Sequence, residues 1–96
     1  MSDTMKVYFD NQGADVIARF ACPTWEVADE VSAEARPLML DGYRINSMTF
    51  RRRGGKRVNL TCVWRCLEKS RQKTEKEIRA ILADMLEIVE RPTEEG

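Results

Sequence analysis

Met5, Val7 and Phe9 alternate with Lys6, Tyr8 and Asp10, the period of two that a strand shows when one face lies on a core. Asn11 to Asp15 supply residues that tolerate positive φ or fold back on their own backbone. Val16, Ala18, Phe20 and Cys22 then resume the alternation, so the first unit reads as a hairpin. Pro23 and Thr24 follow, and Thr24 is placed to cap a helix with Val27, Ala28, Val31, Ala35 and Leu38 on one side and Glu26, Asp29, Glu30 and Glu34 mostly elsewhere. Pro37 disfavours the α conformation at Arg36, so this helix either stops near Arg36 or kinks and runs to Leu40 before Asp41 and Gly42.

The second half repeats the order. Tyr43 to Arg52 and Arg57 to Leu67 are β-rich runs around Arg53-Gly54-Gly55-Lys56, where two glycines supply the positive φ of a tight hairpin. Val58, Leu60, Cys62, Trp64 and Cys66 alternate without a break, which places Trp64 in the core. Parity constrains the turn. An even loop would set Met48 and Phe50 on the face opposite Val58 and Leu60, whereas an odd loop, with a glycine in the left-handed conformation at a bulge, brings them beside Leu60 and Cys62. The odd loop is the expectation. It leaves Tyr43 and Ile45 facing outward unless a bulge near Asn46 or Ser47 switches sides.

Glu68 to Gln72 is a polar link. Thr74-Glu75-Lys76-Glu77 fits a capping box, and Ile78, Ile81, Leu82, Met85, Leu86, Ile88 and Val89 follow helical spacing as far as Arg91 and Pro92. These elements predict an α+β fold: a four-stranded antiparallel sheet in ββαββα order with two helices packed on one face. It forms a single domain over residues 1–96, frayed at about 1–4 and 92–96. The other sheet face is open to solvent, a ligand or a second copy.

Composition then excludes several functions. Of 96 residues none is histidine, which removes Ser-His and Cys-His nucleophiles and every His-containing metal site. The three cysteines are an odd number, a poor disulfide framework, and read as free thiols. On a strand, Cys62 and Cys66 stand about 13 Å apart and cannot bridge. A metal bound by cysteines would need an acidic fourth ligand, so buried small hydrophobes are the preferred reading, with no metal and no cofactor. No apolar run spans a bilayer and the start Met1-Ser2-Asp3-Thr4 lacks signal-peptide character, so no membrane partner and a cytoplasmic location are expected. Nothing in the spacing marks a catalytic pocket, and the expectation is a protein that is not an enzyme and takes no small-molecule substrate.

Charge is the informative feature. Sixteen basic and sixteen acidic residues cancel over the chain, but residues 44–79 hold twelve basic against three acidic ones, and the flanking segments are net acidic. Five cations occupy the seven positions from Arg51 to Arg57 at a hairpin tip. Such crowding survives at an exposed tip because water and salt screen it, and its field attracts an anionic partner. The candidate anion-binding residues are Arg51, Arg52, Arg53, Lys56, Arg57 and Arg65. Under the odd-loop register Arg51, Thr49 and Ser47 share the open face with Asn59, Thr61 and Arg65, and Lys6, Tyr8 and Arg19 are further candidates for that face. Nucleic-acid backbone is the favoured partner; Tyr8 is the one good stacking residue, so reading of base sequence is not expected. The bland alternative is a solvated tip on the polar face of an antiparallel sheet.

A second reading is a protein-interaction or inhibitor module, a small regulator of the kind mobile elements or phages carry, which blocks a partner protein. Its candidate interface is Trp25, Glu26, Asp29 and Glu30, an acidic helix face that would mimic a nucleic-acid backbone or dock a basic protein. The plain alternative is a solvated face whose first-turn acids favour the helix dipole. An acidic protein surface is likewise an alternative partner for the basic hairpin. A homodimer through the open sheet face is also a candidate, with Ile17, Val63 and Ile45 adding apolar area.

Overall fold

The computed structural model describes residues 4–36, 42–68 and 72–91. The first hairpin pairs β1 (Met5–Asp10) with β2 (Asp15–Cys22) through a short 3-10 turn at Asn11–Gly13, where Gln12 and Gly13 take positive φ. Thr24 accepts a hydrogen bond from the Val27 amide at 3.2 Å and starts α1 (Trp25–Ala35), which is capped at Arg36. The extension of this helix to Leu40 lies outside the described residues. β3 (Tyr43–Gly54) and β4 (Arg57–Cys66) form the second hairpin.

The strand order is β1-β2-β4-β3, all antiparallel, so the two hairpins meet along β2 and β4. Alternation puts Met5, Val7, Val16, Phe20, Val58, Leu60 and Trp64 on one face, where α1 and the C-terminal helices cover them in a single core. Trp64 lies in the middle of it, its indole N–H buried and unpartnered among the described residues.

The second hairpin holds two bulges. Phe50 pairs with Leu60 and Met48 with Cys62, as an odd count requires, but the turn itself is the two-residue Gly55-Lys56 and the odd residue is a bulge at Arg53. A second bulge at Asn46 returns Ile45 to the core side opposite Trp64 and buries Tyr43 opposite Cys66. Ile45 therefore adds nothing to the open face.

The C-terminal segment is two helices where the apolar spacing predicts one. α2 (Glu75–Ile81) begins in the expected capping box: Glu77 N–H donates to Thr74 Oγ1 at 3.2 Å and Thr74 N–H donates to Glu77 Oε1 at 2.8 Å. Donation to the Glu77 carboxyl from the Thr74 amide first, and from its hydroxyl at 3.2 Å second, holds that carboxyl below its ordinary pKa. Leu82 (φ −87°, ψ 6°) interrupts the helix and α3 (Ala83–Glu90) continues it, with Leu82 N–H still bonded to Ile78 O and Leu86 N–H to Leu82 O. α2 lies on β1 while α3 packs on α1 and β2. Thr4, expected to fray, is tied down: its carbonyl accepts from Ala21 N–H at 2.8 Å and its hydroxyl donates to Glu90 at 2.7 Å. The remaining residues of the ends, 1–3 and 92–96, lie outside the description. No helix among the described residues is long and apolar enough to cross a membrane.

Candidate functional site

The open face is built from the residues that alternation turns away from the helices. Four strands in register give it rows running from β1 to β3: Lys6, Arg19, Thr61, Thr49; then Tyr8, Ile17, Val63, Ser47; then Asp10, Asp15, Arg65, Arg44. A further row nearer the tip holds Ala21, Asn59 and Arg51. The face is thus graded, with carboxylates at the end far from the tip and none in the two rows nearest it.

The cations fall into two groups according to what holds them. Arg65 Nε lies 3.4 Å from Asp15 Oδ1, and because the Arg65 side chain is 56% exposed while Asp15 is only 8% exposed, this pair is a buried carboxylate served from the surface. Arg79 is paired with Glu75 at 2.9 Å along α2, and Arg91 with Glu30 at 3.1 Å between α3 and α1. Arg51, Arg52, Arg53, Lys56 and Arg57 have no ion pair among the described residues. All five are exposed.

Neutral acceptors orient two open-face guanidinium groups. Arg53 Nη1 donates to Asn59 Oδ1 at 3.4 Å, and Arg19 Nη2 donates to Tyr8 OH at 3.2 Å with its Cζ 5.9 Å from the ring centre. A hydroxyl and an amide fix direction without cancelling charge, so both groups remain available to an anion. Lys6 lies directly opposite Arg19 in the β1–β2 ladder, so two like charges face the same stretch of solvent.

Of the six cations singled out from sequence, Arg51 stands on the open face opposite Asn59, Arg52 opposite Val58 on the other side of the sheet, and Arg53 at the bulge; these three, Lys56 and Arg57 have no ion pair among the described residues, while Arg65 is committed to Asp15. Lys6 and Arg19 are the residues sequence reasoning undervalued. Their polar positions on alternating strands were visible, but only the placement of β2 beside β4 carries them to the tip cations.

The acidic helix face is less concerted than its sequence suggests. Glu26 and Asp29 are exposed, while Glu30 receives two contacts from Arg91, at 3.1 and 3.4 Å. Trp25 is 39% exposed, and its ring stacks on Phe50 of β3 with centroids 5.7 Å apart and planes 18° apart. It therefore clasps the start of α1 to the second hairpin.

The three cysteines are free and buried. Burial pushes the Cys22 thiol up to about 11 and the Cys62 thiol up to about 12, the latter helped by the nearby Cys22. Cys66 Sγ donates to Glu68 O at 3.0 Å. Burial also raises the Tyr43 phenol, whose oxygen accepts the Lys73 N–H at 3.1 Å. These thiols are small core groups, and among the described residues no cluster of three or more Cys, Asp or Glu side chains is placed to hold a metal.

Compared with known proteins, the chain matches no family model, no curated sequence and no solved structure. Function therefore rests on what this face can do chemically.

Proposed function

We propose that the protein is a small non-catalytic binding domain whose basic hairpin and adjoining sheet face hold a polyanionic macromolecule, nucleic-acid backbone above all. One observation carries the reading: the tip cations have no carboxylate partners among the described residues, while Arg65, Arg79 and Arg91 elsewhere do. Self-neutralisation is thus available to this chain and is not used at the tip. Arginine forks suit phosphate oxygens, and a glycine pair at the turn allows close approach. Exposed stacking residues are sparse, which favours contacts to backbone over recognition of bases.

The test is a salt titration of binding to unrelated DNA and RNA. Affinity should fall linearly with salt on a logarithmic scale, by about 0.7 to 0.9 in slope for each phosphate engaged. Reversing Arg51, Arg52 and Arg53 to Glu should weaken binding by about 100-fold or more at low salt. Salt-independent binding, or a triple variant that binds like the parent, would overturn the reading.

The interaction-module reading has less support, since Glu30 is engaged by Arg91 and Trp25 by Phe50. It predicts capture of a protein that survives nuclease and is lost on Trp25→Ala.

A further inference from the structure

Two shallow depressions lie side by side on the open face near the tip. One, of about 240 Å³, is lined by Lys6, Arg19, Ala21, Arg53 and Asn59. The other, of about 260 Å³, is lined by Arg19, Thr49, Arg51, Asn59 and Thr61. They share Arg19 and Asn59, and no carboxylate lines either. Each combines two or three cations with neutral hydrogen-bonding side chains, the mixture that surrounds a phosphoryl group.

We infer that these depressions are a two-phosphate subsite, in which Lys6, Arg19 and Arg53 take one phosphoryl group and Arg19 and Arg51 take its neighbour. The inference rests on the polyanion reading above and deepens it by giving the strand a path, from the hairpin tip across β4 and β2 to Tyr8. Three features argue for a built site over a chance patch. Arg19 and Arg53 are directed by hydrogen bonds to Tyr8 and Asn59, neutral partners that leave their charge for an anion. Asn59 Oδ1 accepts from Arg53, which leaves its amide to donate. Lys6 and Arg19 stand opposite each other in the ladder, two like charges that an anion lying over them would stabilise. Tyr8, half-exposed beside Arg19, stands where a base attached to such a strand can stack.

Two phosphoryl groups in sequence occur in a nucleic-acid strand and in a free diphosphate, so the experiment uses both. The probes are a fluorescent oligothymidylate of about 12 nucleotides and inorganic pyrophosphate. They are added to the full chain, to Lys6→Gln/Arg19→Gln and to Arg52→Gln/Arg57→Gln, each checked for folding by its urea midpoint. The open-face double variant should bind the oligonucleotide about 10-fold more weakly at low salt, with a salt slope shallower by roughly 0.7 for each phosphate lost. Pyrophosphate should move the amide resonances of Arg19, Asn59 and Thr61 more than that of Lys56. If the double variant does not fold, Arg51→Gln on the exposed edge strand gives the same readout.

An unchanged oligonucleotide affinity and slope in the open-face variant overturn the subsite and leave the hairpin reading standing. Pyrophosphate shifts at Arg19 and Asn59 without oligonucleotide binding overturn the nucleic-acid reading and keep the subsite as one for a free diphosphate. Absence of both effects overturns both.

Discussion

Arg19, Arg53 and Arg65 have the same side chain and three different partners, and the partner decides what each can do. Asp15 neutralises Arg65, whereas a phenol and an amide merely aim the other two. The buried thiols give a prediction of a different kind. Cys22 and Cys62 stay protonated in the folded chain to about pH 11 and about pH 12, but ionise near 9 when exposed. Between those values the unfolded state binds fewer protons than the folded one, so stability is full below about pH 9 and falls as pH rises through the folded values. Urea midpoints should drop progressively above pH 9, by less in a Cys22→Ala/Cys62→Ala variant measured against its own neutral-pH value. Both thiols should resist iodoacetamide at pH 8 until the chain is unfolded. Trp25 gives a third expectation. Its stack on Phe50 is half-exposed, so Trp25→Ala should cost about 1 to 2 kcal/mol of unfolding free energy and leave oligonucleotide affinity unchanged.

At the scale of elements, the second hairpin carries most of the information. Gly54 sits at φ 118° and Gly55 at φ 58°, with no atom near the position a Cβ would take at either. Backbone conformation alone therefore sets the penalty: Gly54→Ala should cost about 1 to 2 kcal/mol and Gly55→Asn only a few tenths, measured by urea unfolding. Much of this hairpin was legible in sequence, because parity is arithmetic: Met48 and Phe50 reach the core only if the count between the strands is odd. The position of the odd residue was not legible, since a bulge at Arg53 and a three-residue loop satisfy the same count. The return of Ile45 and Tyr43 to the core through Asn46 depended on what waits there, namely Trp64 and Cys66 across the ladder. The break at Leu82 was invisible for a similar reason. Its spacing is helical, and the segments on its two sides pack on different surfaces, α2 on β1 and α3 on α1 and β2. The bulges and cations of β3 also protect an edge strand from pairing with another chain, a role that holds whether or not the tip binds anything.

For the whole molecule, zero formal charge is a balance between separated regions. Ile17 is only 9% exposed, so the open face offers little apolar area beyond Val63 on which to build a homodimer. Sedimentation over a range of concentrations at low ionic strength should show a monomer, and added oligothymidylate should shift it as one protein per short strand. A concentration-dependent dimer at low salt would assign the open face to self-association instead.

The amino-acid order by itself determined the four strands and the helical segments, the buried side of every strand but the start of β3, the glycine turn and the crowding of cations at one bend. These follow from periodicity and turn chemistry acting over a few neighbouring residues. Only the tertiary structure decided which charges remain unpaired. Asp15 and Arg65 meet across 50 positions of chain because β2 lies against β4, and the same pairing of strands brings Lys6 and Arg19 towards Arg51 and Arg53 with no acid between them. Neutralisation depends on distance in space, and sequence fixes that distance only once the hairpins have chosen their edges.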